Sequence, residues 1–188
     1  MADAKTDRRV RRTKAPLLQG LMQLMETKDV KDISVKELSD LADINRGTFY
    51  LHYSDVYDML AQLEDELFLE FHGIIDRTLK PDTPVHASRA TLLEIFSFLE
   101  RHRAVVRAMI GPHGDLAFVN RLKNLVKERL DSIFTARQAD SDGCYMESFA
   151  VSGCTGVIET WLSQPDAPSP EAMADVCTRI LERGLGMD

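Results

Sequence analysis

The sequence predicts an all-α protein. Two observations carry that expectation: apolar residues recur at helical spacing along nearly the whole chain, and no strand-like alternation persists. Composition agrees: of 188 residues, 44% are hydrophobic and 28% charged. That balance suits a soluble chain with a sizeable core and lies well outside the disordered class. About nine helices are expected. They divide into a basic flexible arm over residues 1–10, a three-helix unit over 11–54, and a helical regulatory and dimerisation body over 55–188.

The elements follow in order. Leu17, Leu18, Leu21, Met22, Leu24 and Met25 mark a first helix over roughly 11–28. A second begins at Ser34, where Ser-Val-Lys-Glu reads as a capping box: Ser34 accepts from the Glu37 amide and Glu37 reaches back. Asp43 interrupts it, a residue type that tolerates the left-handed backbone of a tight turn. Asn45 then caps a short third helix reaching about His52. Ser54-Asp55 opens a long fourth, with one stripe from Val56 through Leu67 and Phe71 to Ile75, stopped by Pro81 and Pro84. A fifth carries Leu92, Phe96 and Leu99, and a sixth stops at Gly111-Pro112. The seventh starts after Asp115, and a polar break over 138–142 separates it from the eighth. Ser169-Pro170 starts the ninth, which Gly184 is expected to end.

Residues 34–53, SVKELSDLADINRGTFYLHY, form two short helices around a tight turn, packed on a preceding helix. With Phe49 turned inward, a 100° step per residue puts Asn45 and Tyr53 on the same side and leaves Gly47, Thr48, Tyr50 and Leu51 facing out. A major groove needs such an exposed face. Gly47 permits close approach; Thr48 can bond a phosphate or a base edge; Tyr50 and His52 can donate to phosphate oxygens. Arg46 reaches either a guanine or a phosphate, and Leu51 offers only apolar contact, as to a thymine methyl. By periodicity alone, two helices and a turn are also common in helical proteins that bind no DNA.

Charge distribution is informative. The net charge of −7 falls on residues 61–188, while the first 60 are balanced. Lys5, Arg8, Arg9, Arg11, Arg12 and Lys14 cluster at the start, which suits local phosphate contact beside an acidic body, or a simple solubilising tail.

The stretch RGTFYLHYSDVYDML, 46–60, resembles the reading-head signature of TetR-type transcriptional regulators. The likeness runs from near Thr13 to about Leu63 and takes in Ser34, Leu38, Ala42 and Ile44. It implies a DNA-binding helix-turn-helix with Thr48, Tyr50, Leu51 and His52 on the DNA and Lys36, Arg46 and Gly47 nearby. Two departures stand out. Asp43 occupies a turn position where the family often has glycine, and Val56 stands where a phosphate-binding lysine is common. Residues 85–183 are similar to a subclass of TetR-type C-terminal domains that includes regulators resembling the dihydroxyacetone kinase operon activator. That likeness implies a body that dimerises and a chain that acts as a regulator, most often a repressor.

Gly153 and Gly156 sit inside an otherwise strong eighth helix, each costing about 1 kcal/mol relative to alanine. Close approach of a partner helix would offset that cost; so would a neighbouring helix of the same chain, or a ligand. With the ninth helix as second partner, the expected homodimer surface is Gly153, Gly156, Val157, Trp161, Met173, Val176 and Ile180, giving a four-helix bundle and a pseudo-palindromic operator. Phe71, His72, Phe96, Met109 and Phe149 are candidates to line an effector pocket, although aromatics at this spacing more often form plain core. The competing reading of control is a protein partner with no small ligand.

Other functions find little support. The five histidines lack metal-ligand spacing, and no GxSxG, phosphate loop or dinucleotide glycine pattern occurs. The expectation is no enzyme activity, metal or cofactor. Cys144, Cys154 and Cys177 show no CxxC pairing and read as reduced, buried thiols. A basic, polar start without an apolar run predicts no secretory signal, and with no membrane span in sight the expected location is cytoplasmic.

Overall fold

A computed structural model describes residues 3–80, 88–136 and 143–185. Among them are nine α-helices, one 3-10 turn and no strand. The helices are α1 (Asp3–Met25), α2 (Val35–Leu41), α3 (Arg46–Phe49), α4 (Val56–Thr78), α5 (Ser88–Arg101), α6 (Arg103–Ile110), α7 (Leu116–Ala136), α8 (Gly143–Ser163) and α9 (Pro170–Leu185); the 3-10 turn is Val30–Asp32. The prolines expected to stop α4 and the polar break at 138–142 lie outside the described residues.

The chain folds as two compact units, Met1–Glu66 with Ala108–Asp115, and Leu67–Arg107 with Leu116–Asp188. The first differs from the expected 11–54 unit because Val56, Met59 and Leu60, at the start of α4, are buried. Stretch 3–10, expected to be a flexible arm, is the start of α1. Its Ala, Lys, Asp and Arg residues are compatible with a helix, and no glycine interrupts them. The side chains of the basic cluster from Lys5 to Arg12 lie outside the described residues. Pro16 sits within α1 and removes one internal hydrogen bond there.

In the first unit, Leu17, Leu21 and Met25 of α1 share a core with Leu38 of α2 and Phe49 of α3. Gly20 permits the close α1–α2 approach: a Cβ there would lie 3.1 Å from Leu38 Cδ1. In the second unit α9 lies along α5. The ninth helix therefore spends part of its stripe within its own chain, burying Met173, Ala174 and Cys177. It continues to Leu185, one residue past the expected glycine stop. The rings of Phe96 and Trp161 meet edge to face at 5.2 Å, and those of Phe71 and Phe98 lie 5.5 Å apart. Where α8 meets α9, a hydrogen bond to the Cys177 thiol, together with burial, raises the pKa of Cys154. Both are free thiols; the Cys144 side chain lies outside the described ones.

Candidate nucleic-acid interface

The candidate site is built from caps. Ser34 Oγ accepts the Glu37 N–H at 3.1 Å, which starts α2. Only this half of the expected box forms, because the Glu37 carboxylate pairs instead with Lys28. A reciprocal arrangement occurs at the start of α4: Asp58 accepts the Ser54 N–H at 2.7 Å, and Asp55 accepts the Asp58 N–H at 2.8 Å. The Ser54 N–H, with Gln62 adding to it, holds the Asp58 carboxyl below the usual carboxylate range.

The turn between α2 and α3 depends on Asp43, whose φ is 53°. This is the left-handed backbone for which glycine is the common solution, and aspartate is among the few other residues that adopt it readily. The departure from the family pattern therefore leaves the turn intact. Asn45 Oδ1 accepts the Gly47 N–H at 2.7 Å and caps α3. A methyl group on Gly47 would meet that same oxygen at 3.1 Å, so glycine suits the cap as well as close approach.

α3 is shorter than expected. It ends at Phe49, and Tyr50–His52 continue as a tightened turn in which the Leu51 N–H donates to Thr48 O and the His52 N–H to Phe49 O. A helix of four residues cannot hold itself. Phe49 fixes it: the side chain is fully buried and lies 5.5 Å from the ring of Tyr53, which is also buried. The Lys14 ammonium stands 5.5 Å over the Tyr53 ring. Burial pushes the Tyr53 hydroxyl up, partly offset by Lys14.

The candidate DNA contacts emerge on the opposite side of this anchor. Leu51 is 79% exposed and Tyr50 58%. Arg46 and Gly47 are exposed, whereas Thr48 and His52 are half-buried. Lys36 is exposed in the first turn of α2. Val56, in the family's lysine position, is buried and belongs to the core.

The candidate pocket residues differ in burial and partners. Phe71 and Phe96 are buried in separate ring pairs of the second unit. Met109 is buried in the first unit. His72 pairs with Asp76 at 3.1 Å, and Phe149 is 53% exposed.

The candidate dimer residues also divide. Trp161 and Met173 are buried within one chain and belong to its core. The Trp161 Nε1–H donates to Pro168 O at 2.8 Å and the Arg103 guanidinium lies 4.6 Å over its ring. Gly153 and Gly156 face outward: a Cβ added at either would meet nothing within 4 Å. Ile180 is exposed. Val157 and Val176 are half-buried. Tyr145, 75% exposed on the α8 face, was not singled out by sequence, although its spacing to Phe149 and Gly153 carries the signal.

The scattered histidines find carboxylates. His102 lies 2.9 Å from Glu70, and His113 lies 2.7 Å from Asp29. Burial opposes ionisation of Glu70, but Arg101 and His102 outweigh it and hold its pKa low. These contacts join positions far apart in sequence, so spacing could not reveal them.

Comparison with known proteins gives a consistent result. Residues 88–183 match the profile for the C-terminal region of transcriptional regulators of TetR type. Among solved structures, the chain is similar to SmeT, the repressor of the Stenotrophomonas maltophilia multidrug efflux pump SmeDEF, at 17% identity. The match covers 92% of this chain and 89% of that one, with a TM-score of 0.68. It is similar to FadR from Bacillus subtilis, solved in complex with stearoyl-CoA, at 13% identity over 88% and 96% of the two chains, with a TM-score of 0.62. It is similar also to the dihydroxyacetone kinase operon activator DhaS, at 14% identity over 93% and 97%, with a TM-score of 0.58. No curated protein matches the sequence significantly. The structural likenesses establish the fold; with the profile spanning over half of the chain, they show that this chain belongs to the TetR family of transcriptional regulators.

Proposed function

We propose that the protein is a sequence-specific DNA-binding regulator that acts as a homodimer on a pseudo-palindromic operator and answers to a small-molecule effector. The observation that carries the DNA reading is the two-sidedness of 46–53. Phe49 and Tyr53 are buried, while Tyr50 and Leu51 on the same short segment stand exposed. A large apolar side chain held out in water by a rigid anchor suits contact with an apolar group such as a thymine methyl. Tyr50, Thr48, His52, Arg46 and Lys36 supply donors for phosphates or base edges, and Gly47 allows close approach.

The proposed two-fold interface uses the outward face of α8, with Phe149, Gly153 and Gly156, together with Ile180 on α9. Val157 and Val176 lie at its edge. Two reading heads related by this axis would meet half-sites about one helical turn apart, near 34–36 Å.

The effector is proposed to bind in the second unit, where Phe71, His72 and Phe96 remain candidates. The precedent is the Bacillus subtilis FadR structure with stearoyl-CoA, which supports testing acyl-CoA compounds first. An effector shifts the protein only if it prefers one of two states. The proposed shift changes the separation of the recognition helices through α4, a helix of 23 residues and about 35 Å.

The test is selection of genomic fragments by the purified full chain, followed by footprinting. Recovery of one pseudo-palindrome protected on both halves supports the reading. Enrichment of no sequence at low salt refutes it. Release of the selected DNA by a compound from an acyl-CoA panel would then identify the effector class.

A further inference from the structure

Cys154 lies in α8 and Cys177 in α9, both within the second unit. Their side chains meet in a thiol–thiol hydrogen bond where the two helices touch, and both are free thiols. Cys177 is 2% exposed and Cys154 half-buried. The hydroxyls beside them are committed elsewhere. Thr155 donates to the Val151 carbonyl and Thr178 to the Ala174 carbonyl, each at 2.8 Å. That spends both hydroxyls on backbone and keeps them off the sulfurs.

A buried cysteine is ordinarily a small hydrophobe. Three features of this pair go further. The first is contact: two sulfurs already within hydrogen-bond reach need only a short approach to the bond of about 2.05 Å in a disulfide. The second is access. Cys154 is half-exposed, and the glycines near it leave the α8 surface open, since a Cβ at Gly153 or Gly156 would meet nothing within 4 Å. The third is polarity. The Cys154 thiol donates to the Cys177 sulfur, which draws the Cys177 thiol below its usual range against the effect of burial and holds the Cys154 proton in place. One sulfur is thus readied as the nucleophile and the other as its resolving thiol.

We infer that Cys154 and Cys177 are an oxidisable dithiol, which a small hydroperoxide converts into a disulfide that staples α8 to α9. The Cys177 sulfur attacks one oxygen of hydrogen peroxide; the O–O bond breaks, and the other oxygen leaves as water with the Cys177 proton. Cys177 is then a sulfenic acid. The Cys154 sulfur attacks that sulfur; the S–S bond forms, the S–O bond breaks, and the hydroxyl leaves as a second water with the Cys154 proton. Two thiols and one peroxide give one disulfide and two waters. This goes beyond the regulator reading and needs no DNA and no two-fold axis.

The experiment treats the reduced full chain, freed of reductant, with hydrogen peroxide in slight excess, then alkylates and digests it without reduction for mass spectrometry. Free thiols should fall from three per chain to one. A single link within the chain should join the peptides carrying Cys154 and Cys177, and dithiothreitol should restore all three thiols. Cys144→Ser should form the same link. Cys154→Ser should form none and leave a sulfenic acid at Cys177 that dimedone captures. The mapping on the native chain stands without any variant. Three unreacted thiols under conditions that oxidise free cysteine completely, a link through Cys144, links between chains in place of the internal one, or sulfinic acid without a disulfide would each overturn the assignment. Where the α8 face pairs two chains, the reaction should slow as protein concentration rises yet join the same two residues, so the interface and the staple are tested apart. Native protein that binds no DNA would refute the regulator reading and leave the cross-link result standing.

Discussion

Replacing Gly153 and Gly156 together by alanine separates two properties that usually move together. Within one chain neither added methyl group meets anything within 4 Å. Each glycine costs a helix interior about 1 kcal/mol relative to alanine, so the double variant should raise protomer stability by about 2 kcal/mol. At a two-fold interface each methyl group enters twice. Overpacking of a close helix contact costs about 1–3 kcal/mol, and each 1.4 kcal/mol raises the dimer dissociation constant about tenfold. The expected result is a chain that resists urea better when dilute yet dissociates at concentrations tenfold or more above those of the parent. Sedimentation equilibrium over a wide concentration range reads dissociation; urea unfolding of the dilute protomer reads stability. A variant that gains stability and dimerises as before would refute the proposed interface, because the glycines would then lie on a free face.

The remaining predictions concern the reading head. Phe49→Ala should cost about 3–5 kcal/mol, because a fully buried ring is removed from beneath a four-residue helix; thermal unfolding of the first unit should fall by roughly 12–40 °C, and an unchanged midpoint would refute the anchor role. Tyr50→Phe should weaken binding to all DNA sequences by a similar, modest factor, about fivefold, through one lost hydrogen bond. Leu51→Ala should instead change the ranking of sites; competition binding against variant operators distinguishes the two. Acid should loosen the start of α4. The Asp58 pKa is lowered in the folded chain, chiefly by the Ser54 N–H, so its contribution is full above the unfolded value near 3.9 and is lost as pH falls through the folded value. Asp58→Asn should flatten that part of the acid limb below about pH 4, measured as unfolding midpoint against pH.

Helix order, the two caps at Ser34 and Asn45, and the left-handed turn at Asp43 were legible in sequence because each depends on residues within a few positions of one another. The inward Phe49 and Tyr53 and the outward Tyr50 and Leu51 were legible for the same reason, whereas Thr48, expected to face out, is half-buried. What escaped was non-local. Glu37 finds Lys28 rather than its own cap. Arg103 reaches the carbonyls beyond Trp161, and His113 reaches Asp29. The apolar stripe of α9 announced burial but not its partner: α5 of the same chain takes part of it, and Met173 with it. Trp161 was expected on the dimer surface, but it is buried, and its ring contacts with Phe96 and Arg103 place it in the core.

Whether the exposed face of 46–53 reads DNA is decided most directly by a binding titration of a selected duplex at two salt concentrations, with native and Tyr50→Ala protein. Native binding should weaken steeply with salt, by about 10³ or more between 50 and 200 mM if six or more phosphates are contacted, and Tyr50→Ala should bind more weakly at both. Native binding no stronger than that of the variant, or none above background at low salt, would contradict the DNA-reading role.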